Sequence, residues 1–326
     1  MRGISRKTYP KVSIVMLNYN GLRYLKKTIP EALKINYPNY EFIVVDNGSS
    51  DDSIDFIKGN KKIKLIKSNK LGEKNYACNY AVNKANGEYI LLLDNDALIR
   101  DKQILKKLVK RYQLRKNTGI IGLSFYDLGF SKSKGYAGYF TYYYLREKRS
   151  LDLKDLINYD NTLIGYPEGK GFFIKKSIWR ELGGYDDHLK FGGDDNDLGA
   201  KSWLYGYKNY TFSQTLQIHL GLPERKDAKK YSEKFKWMLY GHLYSIVKNF
   251  SIHNAIIAIV GHSLFMLIKS LKQSLLRLNI APLMAFFQGY YLFLKNLPVA
   301  LKKRKIIQSD RKIKKDIFLR IKPGMK

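Results

Sequence analysis

The sequence of 326 residues has little cysteine, little proline and, towards its C-terminus, few acidic residues. The single cysteine, Cys78, excludes an internal disulfide framework and any zinc or iron–sulfur site built from several cysteines. Only eight prolines are present, which argues against long extended linkers. Hydrophobic residues make up 45% of the chain, enough for a large core, so wholesale disorder is excluded.

The N-terminus lacks a long apolar run. Residues 1–10 form a basic extension, and the apolar segment behind it spans only Val12–Leu17. Because this is too short for the apolar core of a signal peptide, we expect no signal peptide and a cytoplasmic location for the bulk of the chain.

Charge is distributed unevenly along a chain whose formal net charge is +31. No acidic residue occurs between Glu233 and Asp310, where apolar residues and lysines predominate. We therefore expect three parts: the basic extension over residues 1–10, a mixed-charge domain over 11–222, and a basic, apolar helical region over 223–326.

The mixed-charge part alternates short apolar runs with helical patterns. Four runs rich in Val, Ile and Leu predict β-strands at Val12–Leu17, Phe42–Val45, Ile63–Ile66 and Tyr89–Leu93. Helical patterns between them lie at Tyr24–Leu33, Ser53–Lys58 and Tyr76–Ala85. This alternation predicts an α/β fold with a mostly parallel, doubly wound sheet.

Polar clusters follow three of these strands: Asn18–Gly21, Asp46–Asp52 and Asp94–Asp96. Ligands of open α/β sheets bind beyond the carboxyl ends of the strands, so we expect the clusters to converge on one edge. The second cluster is equally compatible with a turn and a helix cap. In an extended stretch Asp94 and Asp96 would point the same way and would need a compensating cation.

A further acidic cluster, Asp194-Asp195-Asn196-Asp197, begins a helical pattern that runs to about residue 205. One aspartate could serve as a helix cap, but capping does not account for all three. His219, in the apolar context of residues 216–220, is by itself more typical of a core or turn residue than of a ligand.

In this order the segments NYNG, VVDNGSSDDS, GEYILLLDNDA and GKGFFIKKSIWRELGGYDDHLKFGGDDNDLGAKSWLYGY resemble family 2 glycosyltransferases, above all their rhamnosyltransferase-like branch. The resemblance covers about residues 10–222. It implies the GT-A fold and transfer of a sugar from a nucleotide-diphosphate donor by single displacement, with inversion at the anomeric carbon.

The resemblance also implies roles for individual residues. Those expected to bind the nucleotide sugar are Asn18, Tyr19, Asn20, Asp46, Ser49, Gly72, Lys74, Asp94 and Asn95. Those expected to bind a divalent metal, Mn²⁺ or Mg²⁺, are Asp96, Asp94 and His219. Asp195 matches the general base, and Asp194 replaces the usual glutamate beside it. The loop over residues 69–76 is bulkier than the glycine-rich run of many relatives, which leaves the donor sugar open.

The C-terminal part contains two long apolar helical patterns, at about Ile252–Leu278 and Pro282–Leu301. The polar residues of the first fall on one helical face: His262, Lys269, Gln273 and Arg277. An amphipathic, basic and acid-free helix is typical of segments that lie in a membrane interface. A soluble helical cap or dimer interface and a membrane-spanning hairpin stay open as alternatives.

Two basic runs near the C-terminus, Lys302–Lys305 and Arg311–Lys315, would attract anionic lipid. We therefore expect the protein at the cytoplasmic face of the cell membrane, with a glycan or a polyprenyl-linked glycan as acceptor. We also expect residues 1–223 to bind nucleotide without the rest of the chain. The oligomeric state is not predicted.

Three competing functions explain less of the sequence. A nucleic-acid-binding protein would account for the net charge but not for the aspartate clusters, so nucleic acid is not expected as a partner. A nucleotidyltransferase would carry a glycine-rich, arginine-containing loop where Asn18–Gly21 stands. A glycoside hydrolase uses paired carboxylates but does not need the polar ends of the first strands.

Overall fold

The computed structural model describes residues 9–127, 134–140, 147–152, 158–190, 192–221 and 228–326. The strands are β1 (Val12–Asn18), β2 (Tyr40–Asp46), β3 (Ile63–Lys67), β4 (Tyr89–Asp94), β5 (Ala97–Leu98), β6 (Thr118–Asp127), β7 (Lys134–Tyr139), β8 (Glu147–Asp152), β9 (Gly171–Lys175) and β10 (Lys208–His219). The helices are α1 (Leu22–Ala32), α2 (Ser53–Lys58), α3 (Lys74–Lys84), α4 (Ile104–Gln113), α5 (Lys176–Glu181), α6 (Asp194–Leu204), α7 (Ala228–Asn249), α8 (Ile252–Arg277) and α9 (Ala281–Asp310). Most of the basic extension and the expected boundary at residue 222 lie outside the described residues.

Eight strands form one mixed sheet in the order β3-β2-β1-β4-β9-β6-β10-β5. The strands β3, β2, β1 and β4 are parallel, and β10 is parallel to β6. Strand β9 runs antiparallel to both of its neighbours, and β5 runs antiparallel to β10. The predicted α/β fold is confirmed. The direction of β9 was not predicted, because a fully buried strand has the same apolar pattern in either direction.

Strand register brings the ends of the first strands to one level. Asn18 pairs with Asp46 across β1 and β2, and Leu17 pairs with Asp94 across β1 and β4. The middles of these strands are fully buried, as Ile14, Val44 and Leu91 show. A one-residue slip would turn these side chains to the wrong face, so burial fixes the register and thereby the polar edge.

Helices α7–α9 share their core with the α/β part. One buried apolar cluster joins Trp203 and Leu204 of α6 to Phe250, Ala258 and Ile307 of the helical part. A second cluster packs Leu189 against the side chains of α7, α8 and α9. The helical region therefore packs against the α/β part through these two clusters, while the sheet layers also have an apolar core of their own.

The predicted polar face of α8 exists, but it is turned towards the protein. His262 is only 2% exposed, and its Nε2 lies 3.2 Å from Nδ1 of His242 on α7. The guanidinium of Arg277 lies 4.6 Å from the ring centre of Tyr231. Polar residues of the helix therefore take part in packing, and several of its large apolar residues face outwards.

The outward side of α8 and the first half of α9 forms what we call the apolar face. Its members are each more than 40% exposed: Ile256, Val260, Leu264, Ile268, Leu275, Met284, Phe287, Tyr291 and Leu294. Within the described parts of the chain, α8 is the one helix long and apolar enough to cross a bilayer. Exposed apolar residues in this number are typical of an interaction surface.

Several residues of the two basic runs are engaged inside the protein, so they are less available to lipid than the sequence suggested. Lys303 lies 2.5 Å from Oδ1 of Asp186. The guanidinium of Arg304 donates to the carbonyl oxygens of Val247 and Phe250 at the end of α7. Arg311 is buried against Asp316 at 2.9 Å. Lys302, Lys305, Lys314 and Lys315 are exposed.

Candidate active site

Asn18, at the end of β1, connects the three strand-end clusters. Its Nδ2 donates hydrogen bonds to Oδ1 of Asp46 at 3.1 Å and to Oγ of Ser49 at 3.0 Å. Its Oδ1 accepts from Nδ2 of Asn95 at 2.9 Å. A side chain at Gly21 would collide with this pair, because a Cβ there would lie 1.9 Å from Nδ2 of Asn95. The structure thus brings together the three clusters that the sequence expected to converge.

Asp46 is 2% exposed and organises the loop after β2. Its Oδ2 accepts from the backbone N–H groups of Gly48 and Ser49 at 3.1 and 3.0 Å. The hydroxyl of Ser49 donates to Oδ1 at 2.5 Å. The carboxylate therefore fixes the loop shape, and its expected direct contact with a nucleotide base stays a prediction.

The first two loops are also joined through Asn20, whose φ of 47° places it in the left-handed region. Its Oδ1 accepts from the backbone N–H of Ser50 at 2.7 Å. In the same loop Asp51 accepts from the backbone N–H groups of Leu22 and Ser53, which fixes the turn between the two helix starts. Tyr19 is 58% exposed at the rim, where a planar ligand could stack on its ring.

The loop after β3 reaches the same edge and carries Gly72 and Lys74. The N–H of Gly72 donates to the carbonyl of Asn47 at 3.2 Å. Lys74 opens α3, and its Nζ lies 3.2 Å from Oδ2 of Asp194. Burial alone would lower the pKa of Lys74, but the carboxylates of Asp194, Asp94 and Asp195 hold this pKa well above its usual value. The ammonium group therefore stays charged among three acidic groups.

Strand β4 ends at Asp94, and residues 95 and 96 form a turn before β5. The expected extended arrangement of Asp94 and Asp96 is therefore replaced by a turn. Burial raises the pKa of Asp94 to about 6, with Asp96 adding to the shift and Lys74 opposing it. The cation that the pair was expected to need is supplied in part by Lys74.

Asp96 meets His219, which comes from the distant strand β10. Pairing of Ala97 with His219 between β5 and β10 sets Oδ2 of Asp96 3.1 Å from Nε2 of His219. The chain then turns closely around this pair, since a Cβ on Gly221 would lie 2.5 Å from Oδ2 of Asp96. The structure thus places His219 beside Asp96, and its role as a metal ligand stays a prediction.

One oxygen of the Asp96 carboxylate, Oδ1, is buried without a hydrogen-bond partner among the described residues. Those residues contain no cluster of three or more His, Cys, Asp or Glu side chains arranged around a metal position. Mg²⁺ is commonly held by one or two carboxylates with substrate phosphates completing the shell, and Mn²⁺ takes similar ligands. The residues present fit such a partly substrate-bound cation.

Asp194 and Asp195 begin α6, but neither acts as its cap. The cap position is Gly193 with φ of 85°, and among the described residues no side chain caps this end. The hydroxyl of Tyr185 donates to Oδ1 of Asp195 at 2.9 Å. Burial, reinforced by the charge of Asp194, raises the pKa of Asp195 to about 7. A carboxylate with this pKa is suited to accept a proton near neutral pH.

Sequence reasoning missed two groups that shape this site. Tyr185 lies in the quoted segment GGYDD, but its hydroxyl contact with Asp195 depends on tertiary structure. Lys248 of α7 is 1% exposed and pairs with Asp186 and Asp197. A lysine within an apolar helical stretch was the available signal, because buried lysines are almost always paired.

Known proteins resemble this chain in sequence. The pattern of the family described as Glycosyl transferase family 2 matches residues 13–182, just over half of the chain. An uncharacterized glycosyltransferase of Rickettsia typhi is 31% identical over 197 residues, which are 59% of this chain and 58% of that protein. The chain thus aligns with little more than half the length of this relative.

Solved structures show the same fold at low identity. The mannosyltransferase PcManGT from Pyrobaculum calidifontis, in complex with GDP-Man and Mn²⁺, superposes with a TM-score of 0.56 at 16% identity, covering 97% of this chain and 86% of that one. TarS 1–349 from S. aureus, in complex with UDP-GlcNAc, gives 0.54 at 14% identity, covering 95% and 90%. The fold is therefore GT-A, and the chain belongs to glycosyl transferase family 2.

Proposed function

We propose that this family 2 enzyme is an inverting glycosyltransferase that moves a sugar from a nucleotide-diphosphate sugar to an acceptor hydroxyl. The observation that carries the proposal is the position of Lys74 among Asp94, Asp194 and Asp195. It brings the strand-end loops and the start of α6 next to each other. Donor-binding and proton-accepting groups can then act on the same substrate pair.

The donor would bind across the joined loops after β1, β2, β3 and β4. Support comes from the neighbours PcManGT and TarS, which are described with GDP-Man and with UDP-GlcNAc. In this chain the contacts would come from Asn18, Tyr19, Asn20, Asp46, Ser49, Gly72, Lys74, Asp94 and Asn95. The nucleotide base and the sugar, including the rhamnosyl donor that the resemblance suggests, stay open.

A divalent cation, Mn²⁺ or Mg²⁺, would be held by Asp96 with Asp94 and His219. When bound, such an ion neutralises the diphosphate leaving group as a Lewis acid. The unsatisfied Oδ1 of Asp96 supports this assignment, and so does the Mn²⁺ described in the neighbour PcManGT.

Asp195 would be the general base. As the acceptor oxygen bonds to the anomeric carbon, its proton passes to the Asp195 carboxylate and the bond from that carbon to the diphosphate oxygen breaks. Because the acceptor attacks opposite the leaving group, the configuration inverts. Tyr185 orients Asp195 through its hydrogen bond of 2.9 Å, and Asp194 raises the proton affinity of Asp195.

The apolar face would rest on a membrane, and the acceptor would be a glycan, in particular a lipid-linked one such as a polyprenyl-linked glycan. The polar residues of α8 pack on α7, and α7 packs into the core shared with the α/β part. Helix α8 could not cross a bilayer without drawing that core into the lipid. A peripheral position on the cytoplasmic face, with Lys272 and Lys295 exposed towards anionic headgroups, is therefore favoured.

Thermal unfolding tests the donor and metal assignments. We expect UDP or GDP to raise the Tm in the presence of Mn²⁺ and much less in EDTA, since saturation at a hundred times Kd stabilises by about 2.7 kcal/mol. Asp96→Asn should abolish the Mn²⁺-dependent part. Asp55→Asn is the matched control, because that side chain is 82% exposed on α2. An unchanged Mn²⁺ effect in Asp96→Asn would overturn the metal assignment.

A further inference from the structure

The segments that hold the base are joined by a buried set of charges. Lys248 contacts Asp186 and lies 2.9 Å from Oδ1 of Asp197, and all three side chains are at most 3% exposed. Lys201 lies 3.3 Å from Oδ2 of Asp197. Lys303 of α9 lies 2.5 Å from Asp186. Five charged groups from four parts of the chain therefore meet within one buried cluster.

Members of this cluster lie next to Tyr185 and close to Asp195 along the chain. Asp186 is the residue after Tyr185, and the residue before it, Gly184, accepts a hydrogen bond from Nζ of Lys201 at 2.8 Å. Asp197 follows Asp195 by two residues on α6. The turn that carries the Tyr185 hydroxyl and the helix that carries the Asp195 carboxylate are thus connected twice. Lys201 makes one connection through Gly184, and Lys248 makes the other through Asp186 and Asp197.

Lys248 joins Asp186 of the turn to Asp197 of α6, and it comes from α7, outside the segment that matches the family. Its two partners are carboxylates that would repel each other without it. The pKa of Asp186 is held far below its usual value, because the charges of Lys248 and Lys303 outweigh its burial. Both acids are therefore ionised and depend on the lysines.

We propose that Lys248, assisted by Lys303, is a positioning residue for Asp195, acting through the turn at Tyr185. The helical region would then set the geometry and proton affinity of the base, in addition to contacting the membrane. This inference rests on the proposed role of Asp195. Lys248 lies beneath α6 and is not placed against donor or acceptor.

The test compares Lys248→Met with Tyr185→Phe, with Lys110→Met as the matched control. Lys110 is exposed near the end of α4, outside the basic runs expected to attract lipid. Loss of a hydrogen bond to a charged carboxylate raises its pKa by about one unit, so both variants should move the acid limb of kcat to higher pH by about that amount. Donor KM should be unchanged, because the donor loops are not touched. Lys110→Met should match the parent enzyme.

Lys303→Met covers the case in which Lys248→Met does not fold, because Lys303 is 32% exposed and its removal leaves Lys248 in place. The acid limb of kcat in Lys303→Met should also move to higher pH, by less than in Lys248→Met. In the Tyr185→Phe background the Lys303 change should add no further shift, since the hydrogen bond through which it acts is already absent. A shift that persists there would show a direct charge effect and overturn the positioning role, and so would an unmoved profile in folded Lys303→Met.

Asp195→Asn in the same panel separates this inference from the proposed function. If Asp195→Asn keeps both its transfer rate and its acid limb, the base assignment fails and the inference fails with it. If Asp195→Asn loses transfer while the lysine variants keep the parent profile, the base stands and the positioning role alone is wrong.

Discussion

The α/β part and the helical part place polar and apolar groups in opposite ways. In the α/β part the apolar side chains are inside the sheet layers, and polar groups such as Asn18, Asp46 and Asp96 collect at one edge. In the helical part charged and polar groups such as Lys248 and His262 are buried, while the apolar face is open. The first arrangement builds a site for a polar ligand. The second arrangement forms an apolar surface on helices that contact the segments of the candidate active site.

This difference indicates that the two parts form one functional unit. A soluble appendage would turn its polar stripe to water and its apolar stripe to the protein. Helix α8 does the reverse, and α7 supplies the cation that neutralises Asp186 and Asp197. The helical part therefore contributes to the stability of the catalytic part while it presents the surface expected to contact lipid.

The largest effect should come from separating the parts. A chain that ends at residue 221 loses Lys248, and removing one partner of a buried ion pair costs about 3–5 kcal/mol. It also loses the two shared apolar clusters. We expect this fragment to lack a cooperative thermal transition and to bind no nucleotide. Independent folding with nucleotide binding, as the sequence alone suggested, would show that the parts are separable.

The next effect concerns the base, within the intact chain. Asp195→Asn keeps size and polarity but cannot accept a proton, so transfer should fall by about 10²- to 10⁴-fold while donor affinity stays within a few-fold. Single-turnover transfer and nucleotide titration measure the two quantities. Asp194→Asn should be milder. A reversed order of the two variants would identify Asp194 as the base.

A smaller effect is expected in the pH profile. Asp195 acts only when deprotonated, and burial with the Asp194 charge raises its pKa to about 7. The rate should therefore fall as the pH decreases below about 7, instead of near the ordinary aspartate pKa of about 4. Asp194→Asn removes a like charge and should move this limb to lower pH. An acid limb near pH 4 in the parent enzyme would contradict the assignment of Asp195.

Much of the α/β part could be predicted from sequence, because its information is local. Apolar runs gave the strands, and polar residues directly after them gave the edge, where Asn18 and Asp46 indeed hydrogen-bond. What could not be predicted depends on tertiary contacts. Periodicity identified the two faces of α8 but not which of them packs on α7. Likewise, neither the hydroxyl contact of Tyr185 nor the partners of Lys248 can be read from neighbouring residues.

The orientation of the apolar face can be measured with single cysteines that carry an environment-sensitive fluorophore. Cys78 does not interfere, because it is fully buried and burial raises the pKa of its thiol to about 12. Leu264→Cys reports on the apolar face, where Leu264 is 57% exposed, and Leu114→Cys is the control, since Leu114 is 73% exposed at the end of α4. Both are measured with vesicles that contain phosphatidylglycerol.

We expect the fluorescence emission of the label at position 264 to increase and to shift to shorter wavelength on these vesicles, while the emission of the label at position 114 does not change. Salt should weaken the response without abolishing it, because only the charged contribution is screened, over about 8 Å at physiological ionic strength. An unchanged label at position 264 on vesicles that bind the protein would contradict the central claim that the outward apolar face of α8 and α9 contacts the membrane.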